Sequence, residues 1–337
     1  MREIYQLKSV FLGSLALLCA NSYAQTRQEA EKIASFNNQS ELTTLQSQFE
    51  NNFRQNQIKV ENYVVQMNVP KRYSDSKGTV YELQKIESDG TPIYYQTYNV
   101  AAAKSTRTNF LHTGGGLGLN LMGMNLTAHV WDGGHARVSH QEYDGAGGTN
   151  RVTLMDTSSE GGTILNYHAA HVTGTIVASG VVANAKGMAP NGKVNGYMWN
   201  NDVSEATSAA SNGMLVSNHS YGYQSINPNT GAMTLPSYYP GAYITDSRSW
   251  DQVMYNAPYY LMVVAAGNDG QYQITNSPLD GMTGYDKLTG HATAKNNLVV
   301  ANANDANIDA NGNLVSVSIT ASSSQGPTDD YRIKPDI

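Results

Sequence analysis

Between residues 25 and 57 apolar side chains recur at Ile33, Phe36, Leu42, Leu45, Phe49 and Phe53 against a background of Gln, Asn and Glu. A spacing of three to six predicts one or two amphipathic helices there. From Val60 to Val100 the texture changes. Tyr63–Met67, Val80–Leu83 and Pro92–Tyr95 are short runs broken by Ser-Asp-Ser-Lys-Gly and Ser-Asp-Gly turns, which predicts short strands. Further along come Leu126–Trp131, Val194–Trp199, Met214–Asn218, Tyr260–Ala266 and Asn297–Ala303, each a nearly continuous apolar run of strand length. Strands without polar alternation belong to a parallel sheet covered on both faces, and the segments between them are long enough for crossover helices. The pattern therefore predicts an α/β fold, a doubly wound and mostly parallel sheet, preceded by a small α+β unit.

The first residues fall outside this pattern. Arg2 and Lys8 precede an apolar stretch from Ser9 to Ala20, and Ser22 and Ala24 follow it as small residues. This predicts a signal peptide over residues 1–24, cleaved before Gln25, because the apolar run is too short to span a bilayer. No other run of eighteen apolar residues exists, so no membrane association is expected after cleavage. Ala101–Ser105 resembles a linker, which divides the remainder into an N-terminal region, 25–104, and a main domain, 105–337. The only cysteine, Cys19, lies in the cleaved segment, leaving the mature chain without thiol or disulfide chemistry. Charged residues make up 14 % of the chain and the formal net charge is −6, with no Lys/Arg run, which argues against nucleic acid or anionic membranes as partners.

In a doubly wound sheet functional groups gather at the carboxyl ends of strands. Leu126–Trp131 ends in Asp132-Gly-Gly, a carboxylate followed by residues that allow a sharp turn. Tyr167-His168-Ala-Ala-His171-Val-Thr-Gly174 opens a helix with a histidine followed by small residues, among them Ala169, Ala170 and Gly174, which would let the helix press close to the sheet. Leu261-Met-Val-Val-Ala-Ala-Gly267-Asn268 delivers an amide after a buried strand, where it can donate to an oxygen that becomes charged during acyl transfer.

In this order the motifs resemble the subtilase family of serine peptidases. His168–Thr175 is similar to the family's histidine helix, Asp132 to its strand-end aspartate and Asn268 to its oxyanion asparagine. Gly187-Met-Ala-Pro190, Ser217-Asn-His-Ser220-Tyr221-Gly222, Ser324-Gln-Gly-Pro-Thr328 and Arg332-Ile-Lys-Pro-Asp336 extend the resemblance from about Thr106 to Ile337. It implies a subtilisin-like fold, polypeptide substrates, an extracellular or periplasmic location, and a propeptide in the N-terminal region. Asp132 is implied to orient His168, His168 to serve as general base and acid, and Asn268 to bind the oxyanion. Ser220, Tyr221 and Gly222 are implied to offer backbone groups to an extended peptide that adds as a strand. Family members often bind structural calcium, for which no ligands are assignable here.

Three departures stand out. Ala169 and Ala170 replace a common Gly and Thr, and Tyr331 sits where Gly is frequent. Every Gly-Thr pair is followed by Val80, Pro92, Asn150, Ile164 or Ile176, so the Gly-Thr-Ser nucleophile motif is absent. The chain is accordingly expected to stop before the serine-bearing segment and to be inactive as given. The alternative is a non-catalytic peptide-binding protein. Other patterns carry less: His168 and His171 have no third zinc ligand on their helix, and Asn307-Ile-Asp309-Ala-Asn311-Gly312 has Ser318 at the twelfth loop position, so a hairpin turn is favoured over a calcium loop. Gly114-Gly-Gly116-Leu-Gly118 lacks the spacing of a dinucleotide fingerprint.

Overall fold

The computed structural model describes residues 26–74, 80–97, 108–113, 117–145, 148–182, 185–309 and 313–337. The expected signal peptide and the Ala101–Ser105 linker lie outside the described residues.

Two helices open the described chain, α1 (Arg27–Ser35) and α2 (Gln39–Met67). Thr26 caps α1 through a reciprocal pair with Glu29, and Asn38 caps α2 by accepting from the amide of Glu41. Leu42, Leu45, Phe49 and Val60 form the buried side of α2. The helix runs ten residues past Gln57 and absorbs Tyr63–Met67, read above as a strand. The β-branched pair Val64-Val65 suggested extended backbone, but the helix continues past buried Val60 with Tyr63 and Val64 half-buried on the same side, while Val65 and Met67 are exposed, so local β propensity is overridden. Asn68, with φ at 52°, ends the helix in the left-handed conformation two residues before Pro70.

Strands β1 (Arg72–Ser74), β2 (Val80–Ile86) and β3 (Pro92–Thr97) follow as an antiparallel meander. The main sheet is built from β4 (Thr127–Asp132), β5 (Val152–Leu154), β6 (Lys193–Met198), β7 (Val216–His219), β9 (Leu261–Ala265) and β10 (Leu298–Val300). Its order is β10-β9-β7-β4-β6-β5, with every pair parallel, so all carboxyl ends point to one edge. The five predicted runs are all strands; β5 is too short to have shown as an apolar run. Crossovers carry α3 (Tyr167–Val177), α4 (Asp202–Ser211) and α5 (Thr245–Asn256). After β7 the chain passes through Ser220 into β8 (Tyr221–Tyr223), which leaves the main sheet and completes the N-terminal one in the order β1-β2-β3-β8. β11 (Asn307–Ile308) and β12 (Leu314–Ser316) form a hairpin, as the turn reading of that segment anticipates.

One apolar core spans both regions. Leu42, Leu45 and Phe49 of α2 and Ile93 and Tyr95 of β3 pack in the same cluster as Trp131, Trp199, Trp250, Met262 and Val264. Each such side chain removed from water contributes about 1.5–3 kcal/mol, so the N-terminal region is held to the main sheet by core burial as well as by strand pairing.

Candidate active site

β4 buries Val130 and Trp131 and then presents Asp132 at the carboxyl edge of the sheet. The backbone N–H of Gly133 donates to Asp132 Oδ1 at 2.7 Å. His168 lies in the first turn of α3. Its Nδ1 is 2.8 Å from Asp132 Oδ2 and 2.9 Å from Oδ1, and both side chains are fully buried. A proton on Nδ1 shared with the carboxylate leaves Nε2 as the basic nitrogen of the ring, the tautomer needed to accept a proton from a hydroxyl.

Asn166 sets the start of α3. Its Oδ1 accepts from the amides of His168 at 2.7 Å and Ala169 at 3.3 Å, capping the helix, while its Nδ2 donates to the Gly133 carbonyl at 3.3 Å. His135 N–H donates to the Ile164 carbonyl at 2.6 Å and the His135 carbonyl accepts from Asn166 N–H at 2.9 Å. The aspartate turn and the approach to α3 are thereby laced together in parallel, with His135 opposite Leu165. Gly134 is required by this lacing, since a Cβ there would lie 2.7 Å from Asn166 Cβ and 2.8 Å from the Ile164 carbonyl oxygen.

The small residues of α3 act differently from the sequence reading. Ala169 is buried, but a Cβ on Gly174 would meet nothing within 4 Å, so close packing does not depend on that glycine. The tight contact belongs to Gly187 of the Gly187-Met-Ala-Pro190 segment, where a Cβ would come within 2.6 Å of Ala178 N and 2.8 Å of the carbonyl oxygens of Gly174 and Ile176. Gly187, Met188 and Ala189 donate backbone hydrogen bonds to Ala178, Thr175 and Ile176, which clamps the far end of the histidine helix.

Ser220 follows β7, the neighbour of β4, and Asn268 follows β9, the neighbour of β7, so both share the carboxyl edge with Asp132. Asp132 and His168 are in direct contact; Ser220 and Asn268 stand one and two strands across the sheet from them. The half-buried Asn268 sits in a loop pinned by the Ser324 segment: Ser324 N–H donates to the Gly267 carbonyl, Asp269 N–H to Ser324 Oγ and Gly270 N–H to the Ser322 carbonyl, each at 3.0 Å. Gly267 has φ at 114°, and a Cβ on Gly270 would lie 2.2 Å from the Ser323 carbonyl oxygen, so both glycines are demanded by the loop. Burial raises the Asp269 carboxyl to about 6, against the opposing effects of the Ser225 hydroxyl and Lys287.

The backbone of Ser220–Gly222, read as a peptide-binding edge, has an occupant. Thr97, Gln96 and Tyr95 of β3 stand antiparallel to Tyr221, Gly222 and Tyr223. The Tyr221 side chain faces inward instead: its hydroxyl donates to Asp202 Oδ2 at 2.7 Å and meets His219 Nδ1 at 2.8 Å, and His219 Nε2 meets Ser217 Oγ at 2.8 Å. Burial pushes the Asp202 carboxyl up to about 7 and holds the His219 imidazole well below its ordinary value. The N-terminal region touches the aspartate turn as well. Arg72 donates to the Gly133 carbonyl and pairs with Glu82, whose buried carboxylate also accepts from Trp199 Nε1 at 2.7 Å.

Among the described residues no three His, Cys, Asp or Glu side chains gather as a metal cage. Asp309 of the hairpin has both carboxylate oxygens engaged by N–H donors of Asn313, at 2.7 and 3.1 Å, an arrangement that turns those oxygens away from a cation. The Glu142 carboxylate, likewise, accepts from the amides of Gly180, Val181 and Val182. Neither of these two donor sets fits calcium.

Asn166, His135, Asp156 and Arg72 were not singled out from the sequence. Asn166 carried a readable signal, an N-cap residue just before a helix. The others act through contacts distant along the chain.

The described helices include none long and apolar enough to cross a membrane. No curated protein matches the chain. Solved structures similar to it include the CspB protease of Clostridium perfringens, at 18 % identity over 50 % of this chain and 42 % of that one, with a TM-score of 0.34. Fervidolysin from Fervidobacterium pennivorans, a keratinolytic enzyme related to subtilisin, is 16 % identical over 70 % of this chain and 37 % of that one, with a TM-score of 0.40. The epidermin leader peptide processing serine protease of Staphylococcus aureus is 16 % identical over 61 % of this chain and 54 % of its own, with a TM-score of 0.34. The chain thus spans between 37 % and 54 % of the length of these proteins. The sequence model of the subtilase family matches residues 122–337, the segment that holds Asp132, His168, Ser220 and Asn268, and the chain belongs to that family.

Proposed function

We propose that this chain is the acid–base and peptide-binding part of a secreted serine endopeptidase. The observation that carries the reading is the buried 2.8 Å contact between Asp132 and His168 at the carboxyl edge of a parallel sheet in a subtilase. In the proposed reaction a serine oxygen bonds to the scissile carbonyl carbon and its proton passes to His168 Nε2. The tetrahedral intermediate then expels the amine, which takes that proton, and water repeats the sequence on the acyl-enzyme. Asp132 holds the imidazole and stabilises its charge, and the Asn268 amide donates to the oxyanion. The Gly-Thr-Ser motif is not in this sequence, and the serine is proposed to come from sequence beyond it.

The pairing of β3 with β8 supports strand addition as the mode of peptide binding, because an extended segment already occupies that edge. It equally supports a propeptide role for the N-terminal region. Export rests on the sequence pattern of residues 1–24. The occupied β8 edge is also compatible with the second reading, a non-catalytic peptide-binding protein.

One experiment separates the two. A form extended to carry a Gly-Thr-Ser segment should hydrolyse casein and be labelled by a fluorophosphonate, both lost on His168→Ala, while the 337-residue chain is not labelled. Specific labelling of the 337-residue chain that disappears in His168→Ala would show a nucleophile of another origin. Casein hydrolysis unaffected by His168→Ala would overturn the assignment of the base.

A further inference from the structure

A second histidine–aspartate pair lies behind the first. His135, three residues after Asp132, is 1 % exposed, and Asp156 is 4 % exposed. His135 Nδ1 accepts the Ile164 N–H at 3.1 Å, which puts the ring proton on Nε2, and Nε2 donates to Asp156 Oδ1 at 2.8 Å. The other Asp156 oxygen, Oδ2, accepts from Met198 N–H at 2.7 Å, at the end of β6. The imidazole, with Asp156, thus joins three segments: the turn that follows Asp132, the segment leading to α3, and the carboxyl end of β6, the strand beside β4.

A histidine is suited to this place because it offers one acceptor and one donor on opposite sides of a rigid ring. The turn after Asp132 has two glycines and would otherwise be the loosest part of the site. Its rigidity matters because Asp132 must meet an imidazole carried on a separate element, and Asn166, which caps that element, is itself hydrogen-bonded to the His135 carbonyl.

Resting on the peptidase reading of Asp132 and His168, we infer that His135 and Asp156 are positioning residues, a buried pair that holds the aspartate turn so that the His168 Nδ1 proton stays shared with Asp132. A pair that merely fills the core would contribute to stability and leave that proton alone.

The test uses the 337-residue chain with ¹⁵N-labelled histidine and reads the low-field proton on His168 Nδ1. The indole Nε1 proton of Trp199, bonded to Glu82, serves as a marker of the surrounding fold. In Asp156→Asn, which can satisfy only one of the two N–H donors, and in His135→Leu, exchange of the His168 proton with water should quicken roughly tenfold, the factor set by the net contribution of one buried hydrogen bond. The Trp199 signal should be unchanged. His135→Gln, with an acceptor and a donor on one side chain, should restore part of the protection. If the His168 proton is equally protected in Asp156→Asn and His135→Leu, or if it changes only in step with Trp199, the positioning role is overturned. A wild-type chain with a protected Trp199 proton and no protected His168 proton would overturn the Asp132–His168 reading itself, a result distinct from either of those.

Discussion

Asn166 grips both partners of the dyad: its Oδ1 accepts from the His168 amide at 2.7 Å while its Nδ2 donates to the carbonyl of Gly133, the residue after Asp132, at 3.3 Å. One side chain therefore caps the histidine helix and ties it to the aspartate turn. Asn166→Ala should cost about 1–2 kcal/mol, the range for loss of an N-cap in a protein. Asn166→Asp keeps the cap acceptor and should recover most of that loss. Urea denaturation of the two variants checks this; equal destabilisation would mean that the cap contributes little and the Gly133 contact dominates.

Gly134→Ala should be among the most disruptive substitutions near the site. A Cβ would lie 2.7 Å from Asn166 Cβ and 2.8 Å from a backbone oxygen, and the latter cannot rotate away. Overpacking of this kind costs about 1–3 kcal/mol. Gly174→Ala, where nothing lies within 4 Å, should be neutral or slightly stabilising, because alanine is the better helix former. Thermal melts of the pair should differ in sign or by several degrees. Similar melting temperatures would contradict the packing seen around Gly134.

Asp202 makes stability pH-dependent. Burial raises its carboxyl from 3.8 to about 7. The folded chain therefore holds a proton that the unfolded chain has released between those values, so the contribution of Asp202 to stability is greatest below about pH 4 and is lost as pH rises to about 7. Buried His219, held well below its ordinary value, acts in the opposite direction on the acid side, so the raw wild-type curve mixes the two. The cleaner quantity is the difference between wild type and Asp202→Asn, which should shift in favour of the variant by up to about 1.4 kcal/mol per pH unit across that window. Denaturation in steps from pH 4 to pH 8 measures it. A difference that does not vary with pH would show that Asp202 is ionised throughout.

Tyr331 occupies a position where the family often has glycine, and its φ of 61° shows why. A left-handed conformation costs an L-residue about 1–2 kcal/mol, partly offset by the larger entropy glycine loses on folding, about 0.5–1 kcal/mol. The tyrosine is 61 % exposed, and its hydroxyl donates to Asp280 at 2.9 Å. Tyr331→Gly should therefore be neutral or stabilising by up to about 1 kcal/mol, unlike most glycine substitutions. A loss above about 1 kcal/mol by denaturant unfolding would assign the Asp280 contact more weight than an exposed hydrogen bond usually has.

The sequence by itself determined five of the six strands of the main sheet and their parallel arrangement, and it singled out Asp132 and His168, which the fold brings into contact. Continuous apolar runs such as Leu261–Ala265, which buries Met262 and Val264, mark the strands, and a carboxylate and an amide just past the ends of such runs mark where a sheet of this kind exposes chemistry. Tertiary structure alone decided that Tyr63–Met67 is helical, because both readings were compatible with the local pattern and only the packing of α2 distinguishes them. It decided that Gly187, and not Gly174, sets the closeness of the histidine helix, since a glycine's purpose depends on what stands opposite its missing side chain. It also paired β3 with β8 and His135 with Asp156. Those contacts join residues 126 and 21 positions apart, respectively, for the pairs Gly222–Gln96 and Asp156–His135. Local periodicity reports which face of an element is buried, whereas the partner that buries it is selected only when the whole chain has closed around its core.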